Sequence, residues 1–156
     1  MRNGAAWIVV VVALFYPAPG VSGAGRTQTV GITVLPRIQV TLLSAPQHLS
    51  IPARRCGSLV TTVHVRSNVT YELTVRLRTG GPGLSWQVGG SPLAGNFVTV
   101  ASGQGRTTGR THDVVVRACI AADLALRQTT AELEYVARGD AVVSEAARQL
   151  LVILVM

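Results

Sequence analysis

Histidines and carboxylates are the side chains of this sequence that could do acid–base or metal chemistry. The three histidines, His48, His64 and His112, are far apart in the sequence and have polar neighbours. They lack the spacing of a metal site, and no Gly-x-Ser-x-Gly nucleophile motif is present. Of only seven acidic residues, Glu132 and Glu134 are expected to share the solvent face of a strand. The sequence therefore predicts a protein that is not an enzyme and has no metal site or cofactor.

A glycine-rich segment at residues 103–109 has some likeness to a phosphate-binding loop. A dinucleotide-binding loop has a tighter glycine spacing and is followed directly by a helix. Here the spacing is one residue longer, and the segment that follows alternates like a strand. We interpret residues 103–109 as a flexible loop between two strands.

The basic residues are all arginine and are unevenly distributed. Fourteen arginines and seven acids give a net charge of +7, and there is no lysine. Residues 26–117 hold ten arginines against two acids, whereas residues 118–156 hold three arginines against five acids. Arg66, Arg76 and Arg78 fall on the outward side of predicted strands, where their guanidinium groups could bind phosphate or carboxylate.

These three arginines are the predicted anion-binding site. For an exported chain, the acidic partners would be wall polymers, envelope lipid head groups or glycans. Nucleic acid is not an expected partner, because only 4% of the residues are aromatic and few can stack on bases. The alternative explanation is a composition bias of the genome, with no role in binding.

Two short motifs lie at predicted turns. Arg138-Gly139-Asp140 is the tripeptide that integrins recognise, but Gly and Asp are also ordinary turn residues. Asn68-Val69-Thr70 fits the N-glycosylation pattern, which matters only in a host that glycosylates exported chains. Neither motif by itself assigns a function.

The first 24 residues have the organisation of a secretory signal peptide. Arg2 precedes a twelve-residue apolar run at residues 5–16, and Pro17 and the small residues Gly23 and Ala24 follow. The run is shorter than the roughly 20 residues that a membrane-spanning helix needs. We predict a signal peptide over residues 1–24 and a secreted, periplasmic or cell-surface protein without a transmembrane segment after cleavage. The alternative is an uncleaved N-terminal anchor.

Cys56 and Cys119 are the two cysteines, and they are 63 positions apart. In an exported chain an even number of cysteines favours a disulfide. Two free thiols are the alternative. A metal site is not expected, because no Cys-x-x-Cys or histidine pair accompanies them.

Most of the chain after residue 27 alternates between apolar and polar residues. Residues 69–78 are the clearest example, with an apolar side chain at every odd position from Val69 to Leu77. Successive side chains of a strand point to opposite faces, so the pattern predicts one buried and one solvent-facing side. Residues 59–66 alternate likewise, and Ser67-Asn68 suits a two-residue turn. Residues 59–78 are therefore predicted to form a hairpin.

Further short strands are expected at residues 30–34, 38–42, 84–88, 97–100, 114–120, 131–137 and 149–156. An apolar content of 48% with only 13% charged residues excludes a disordered chain. Eight or nine strands with Gly/Pro turns predict an all-β, antiparallel β-sandwich, one domain over residues 25–156. A closed barrel is the alternative, and single helical turns are possible at residues 121–126 and 144–148.

The order of these segments resembles a known class of proteins. Residues 34–42 lead to Leu49-Ser50-Ile51-Pro52, then come the hairpin with Asn68 in its turn, Leu133-Glu134-Tyr135-Val136 and an apolar last strand. This layout is similar to short exported bacterial proteins with an immunoglobulin-like sandwich, including pilin-like and spore-coat-like surface subunits. The resemblance implies an immunoglobulin-like fold of about eight strands and a structural or adhesive role.

The chain departs from that class at its end. Chaperone–usher pilins usually finish with an alternating strand and a near-terminal aromatic residue, whereas this chain ends Ile153-Leu154-Val155-Met156. The last strand is apolar on both faces and needs cover on both sides, from its own fold or from a partner. Residues 27–34 could likewise pair within their own sheet or extend into a neighbouring subunit. Strand-edge pairing with itself or with other surface subunits is the partner prediction.

Overall fold

The structure is a computed structural model that describes residues 30–52, 55–120 and 128–156. The chain divides into two units, Met1–Thr33 and Val34–Met156. Of the first unit, residues 30–33 are described, and they have no regular secondary structure. The predicted signal peptide, residues 1–24, lies outside the described residues, as does the helical turn expected at residues 121–126. No helix among the described residues is long and apolar enough to cross a membrane.

The second unit is a sandwich of two five-stranded sheets, and none of its described residues is helical. Sheet A has the strand order β1-β3-β8-β5-β6, and sheet B has the order β2-β10-β9-β4-β7. The strands are β1 (Ile38–Ser44), β2 (His48–Ile51), β3 (Cys56–Ser67), β4 (Tyr71–Thr79), β5 (Leu84–Val88), β6 (Ser91–Pro92), β7 (Val98–Gly103), β8 (Arg106–Ile120), β9 (Gln128–Arg138) and β10 (Ala147–Val155).

The predicted fold class is confirmed at the level of an all-β sandwich of two sheets. The chain crosses between the sheets early, because β1 pairs with β3 in sheet A and β2 pairs with β10 in sheet B. The β2–β10 pair is parallel, and the other strand pairs are antiparallel. The described residues form ten strands where about eight were expected, and two of the ten are very short.

The core consists of the alternate apolar residues that face the other sheet. Its largest fully buried side chains include Val63, Val65, Leu73, Val75, Val116, Leu133, Tyr135, Leu151 and Ile153. Gln149 also faces the core. Its Oε1 accepts hydrogen bonds from Thr61 Oγ1 at 2.8 Å and Tyr135 Oη at 2.9 Å, and its Nε2 donates to the Pro46 carbonyl at 2.7 Å. These bonds satisfy a polar group that would otherwise be costly to bury.

The predicted hairpin over residues 59–78 is wrong. Strands β3 and β4 follow each other in sequence but lie in different sheets. The Ser67 hydroxyl stabilises the turn between them, because it accepts a hydrogen bond from the Val69 amide and donates one to the Val69 carbonyl. Alternation requires only that each strand bury one face, and facing strands of two sheets meet that requirement as well as paired strands do.

Three further local predictions differ from the structure. No strand forms at residues 30–37, and β1 begins only after Pro36, which has no amide hydrogen to donate to a ladder. The predicted loop at residues 103–109 is mostly strand, because β8 begins at Arg106. Gly109 lies within that strand with a φ of 79°, opposite a register irregularity of β3. Residues 144–146 form no helical turn, and β10 begins at Ala147.

The predicted disulfide is present. Cys56 and Cys119 are directly opposite each other on β3 and β8, with 4.0 Å between their Cα atoms. Gly57 faces the sheet B strand β2, since a Cβ there would contact Leu49 and Ile51. Neighbouring residues of a strand point to opposite faces, so the disulfide lies on the outer face of sheet A.

Candidate functional site

The three arginines of the predicted anion-binding site are not brought together. Arg66 lies on β3 in sheet A, whereas Arg76 and Arg78 lie on β4 in sheet B. A patch of all three needed the hairpin, which does not form. Anion binding by any of them stays a prediction.

Arg76 and Arg78 are engaged within sheet B. Arg76 donates to the Glu134 carboxylate, whose side chain is only 7% exposed. Glu132 Oε1 is 3.5 Å from Arg78 Nη1 and 3.8 Å from Arg148 Nε. The solvent-facing position predicted for Glu134 is therefore correct in direction, but the residue is buried beneath its ion pair.

The three histidines do not form a common site. His48 is on β2, His64 Nδ1 lies 3.3 Å from Thr111 Oγ1, and His112 Nε2 lies 2.8 Å from Tyr71 Oη. Burial and the Arg110 charge both lower the pKa of His112. Burial raises the pKa of Tyr71, against a smaller opposing effect of Arg110. Among the described residues, no group of three His, Cys, Asp or Glu side chains could hold a metal ion.

Asn68 of the glycosylation pattern holds the segment before β1 in place. Its side chain accepts from the Arg37 amide at 2.7 Å and donates to the Leu35 carbonyl at 2.8 Å. Its own amide donates to the Arg37 carbonyl at 3.3 Å. The Asn68 side chain bonds to backbone groups as a neighbouring strand would. This gives Asn68 a structural role that needs no glycan.

The Arg138-Gly139-Asp140 tripeptide lies at the end of β9 and in a tight turn, where the Gly139 amide donates to the Val142 carbonyl at 2.8 Å. The Arg138 guanidinium is 4.4 Å from the centre of the Phe97 ring, which holds this side chain along sheet B. Asp140 instead lines a shallow groove of about 650 Å³ at this end of the sandwich, with Val34, Pro36, Asn68, Val69, Thr70, Gly105 and Ala141. Arg138 and Asp140 therefore lie on different surfaces of the sandwich.

Strand β10 is paired along only part of one of its edges. Strand β10 pairs with β9 from Ala147 to Leu154, but with β2 only from Val152 to Val155. Within the described chain, residues 147–151 therefore have a strand on one side only. We call these five residues the β10 half-edge.

The hydrogen-bonding groups of the half-edge can be assigned to a side of the strand. The amides of Val152 and Met156 donate towards β2, to the carbonyls of Gln47 and Ile51. The N–H and C=O groups of a strand alternate sides from one residue to the next. The backbone groups of Arg148 and Leu150 therefore point to the unpaired side.

The half-edge also has incomplete apolar cover. The Leu150 side chain is 70% exposed and Leu154 is 36% exposed, although Leu151 between them is buried. On the inner face of the nearby edge strand β1, Val40 and Leu42 pack against the core but are only partly buried. The last strand was expected to need cover on both faces, and within the described residues its own fold covers only the inner one.

The other edges of the two sheets carry features that hinder strand addition. Strand β1 is irregular between Leu42 and Ser44, and β7 is irregular where it passes Leu73 and Thr74 of β4. Strand β6 has two residues, one of them a proline, and β2 has four. By contrast, the β9–β10 ladder is regular throughout. The sequence pointed to the last strand as a candidate for pairing with a partner, because it is apolar on both faces, but not to residues 147–151 as its unpaired part.

Comparisons with known proteins identify no family. No protein-family model and no curated protein matches the sequence. Among solved structures, the chain is similar to the ASH/PapD-like domain of human CEP192, with 7% identity, a TM-score of 0.45 and coverage of 86% of this chain and 98% of that domain.

Two bacterial structures are similar over less of their own length. The periplasmic chaperone SfaE has 12% identity and a TM-score of 0.40, with 75% of this chain and 57% of that one covered. The CFA/I adhesin CfaE of enterotoxigenic E. coli has 7% identity and a TM-score of 0.38, with coverage of 76% and 48%. These similarities concern the β-sandwich backbone and assign no role to any residue.

Proposed function

We propose that this chain is an exported, non-enzymatic β-sandwich with a structural or adhesive role at the cell surface or in the periplasm. It joins its partner by β-strand addition, and the partner is a second copy of the same chain. The observation that carries this proposal is the half-edge of β10, with its regular ladder, outward-directed backbone groups and exposed Leu150. An added strand satisfies such backbone groups and covers the apolar side chains beside them.

Residues 30–34 supply a strand that suits the half-edge. Val30, Ile32 and Val34 are 71 to 85% exposed and belong to no strand, although they alternate with Gly31 and Thr33. Five residues, 30–34, match the five residues of the half-edge, a length of about 17 Å. Three apolar side chains on one side of this strand would cover the partly buried Val40 and Leu42.

Sedimentation velocity over a concentration series tests the proposal. Strand pairing is mainly not electrostatic, so self-association should persist from about 0.15 M to about 1 M NaCl. Leu150→Pro should abolish association, because it removes an amide hydrogen from the unpaired side and leaves the β9 ladder intact. Ile32→Pro should do the same from the donor side.

Matched variants separate the edge from general surface apolarity. Leu43→Ser removes a leucine on edge strand β1 that is 61% exposed, and it should leave association unchanged. Circular dichroism shows whether Leu150→Pro is folded, and Arg148→Pro examines the same edge if it is not. A chain that stays monomeric at all concentrations, or a folded Leu150→Pro variant that associates normally, would contradict the proposal.

A further inference from the structure

The outer faces of both sheets carry arginine side chains. The ion pairs that join described residues use Arg76, Arg78 and Arg148 with Glu132 and Glu134, all on sheet B. Two carboxylates thus lie beside these three arginines. The outer face of sheet A carries two further exposed arginines, Arg66 and Arg117.

The outer face of sheet A is formed by alternate residues of its two central strands. Leu59, Val63 and Val65 of β3 are buried, so the residues between them face outward. Beyond Cys56 of the disulfide, the outward residues of β3 are Ser58, Val60, Thr62, His64 and Arg66, and those opposite on β8 are Thr111, Asp113, Val115 and Arg117.

Asp113 is the one acidic side chain among the outward residues named above. The Asp113 carboxylate accepts a hydrogen bond from Thr62 Oγ1 at 2.8 Å. Arg66 and Arg117 are both exposed, and they lie near opposite ends of the β3–β8 ladder. Arg117 pairs with Ser58, which is eight residues from Arg66, so the two cations are about 26 Å apart along the strands.

The surface between Arg66 and Arg117 has both apolar and polar side chains. Val60 and Val115 are directly opposite each other and are 47% and 50% exposed. Around them lie hydroxyl groups and the His64 imidazole, but no aromatic ring belongs to this set of residues. Hydroxyls can bond to sugar hydroxyls, and the valine pair can pack on the apolar C–H side of a sugar ring. Bases of a nucleic acid would need aromatic platforms, which these residues lack.

We propose that the outer face of sheet A binds an acidic polysaccharide along the β3–β8 ladder. The guanidinium groups of Arg66 and Arg117 bind its carboxylate or sulfate groups, and the Val60–Val115 pair supports the sugar rings between them. Arg66 also interacts with other groups of the chain. A guanidinium has five N–H donors, so an exposed one can serve a ligand while it keeps an internal partner. This surface is separate from the β10 half-edge.

Binding to immobilised polysaccharides tests the proposal. The probes are polygalacturonate for carboxylate, dextran sulfate for sulfate and neutral dextran as the uncharged polymer. Retention on at least one acidic polymer but not on neutral dextran is expected. Arg66→Ser with Arg117→Ser should weaken that binding about tenfold or more, the effect of two lost charge-assisted contacts.

The matched control removes the same charge from sheet B. Arg78→Ser with Arg148→Ser spares the buried Glu134 carboxylate and should change affinity less than about twofold. Equal losses in the two double variants would show that net charge alone is responsible and would overturn the proposal. Failure to bind either acidic polymer would also overturn it, as would binding to phosphatidylglycerol vesicles but to no polysaccharide. Thermal unfolding of each variant shows that the fold is retained.

Discussion

Arg76 of β4 and Glu134 of β9 are cross-strand neighbours on the outer face of sheet B, and their side chains form an ion pair. The pair buries a carboxylate on the outer face of sheet B, where Thr74 and Val136 are also buried. Phe97 contributes to this arrangement, because its ring centre is 4.6 Å from the Arg76 guanidinium carbon. A buried carboxylate without its cation destabilises the folded state, so Glu134 depends on Arg76.

Loss of Arg76 should therefore cost more than loss of the whole pair. Arg76→Leu leaves Glu134 buried without its cation, and we expect the free energy of unfolding to fall by about 2 kcal/mol. Arg76→Leu with Glu134→Leu should recover part of that loss. Urea unfolding of the two single variants and the double variant measures the coupling, and strictly additive effects would contradict it.

Gln149 should be the most sensitive polar position in the core. Gln149→Leu removes the acceptor of Thr61 and Tyr135 and the donor to Pro46, so about 3 kcal/mol of stability should be lost. Tyr135→Phe removes only one of these bonds and should cost about 1 kcal/mol. Chemical denaturation compares them, and an equal effect of the two substitutions would argue against the network.

Tyr135 should limit stability at high pH. Burial raises its pKa to about 12, although the neighbouring Thr61 hydroxyl acts in the other direction. The unfolded side chain loses its proton near pH 10, so between about pH 10 and 12 the folded state binds more protons than the unfolded state. The free energy of unfolding should fall as the pH rises through this range. Tyr135→Phe should flatten the decline, as followed by urea midpoints.

His112 should weaken the fold in mild acid. Its pKa is lowered in the folded protein, so the unfolded state binds more protons as the pH drops through about 6.5. The free energy of unfolding should then decrease from about pH 7.5 towards lower pH. His112→Gln removes the titrating group, and denaturation midpoints should show a smaller decrease for it than for the unchanged chain.

Gly109 and Gly95 allow a comparison of two glycines with similar positive φ angles. Their φ angles are 79° and 83°, but a Cβ at Gly109 would collide with His64, whereas one at Gly95 would meet nothing within 4 Å. Gly95→Ala should cost about 1 kcal/mol, from conformation alone. Gly109→Ala should cost clearly more. Equal melting temperatures for the two variants would show that the ladder has room around Gly109.

The sequence alone was enough for much of the fold. Alternation in segments such as residues 69–77 predicted strands, because a period of two places apolar side chains on one side. The pairing of Cys56 with Cys119 followed from their number in a chain expected to be exported. The signal peptide of residues 1–24 stays a prediction.

The tertiary structure decided which strands are neighbours. Strands β3 and β4 lie in different sheets, and this separates Arg66 from Arg76 and Arg78. In the tertiary structure β2 also ends after four residues, which leaves Leu150 of β10 on an unpaired edge. A pattern of alternating side chains specifies a buried face but not the partner of the backbone hydrogen bonds, which depends on how all the strands pack together.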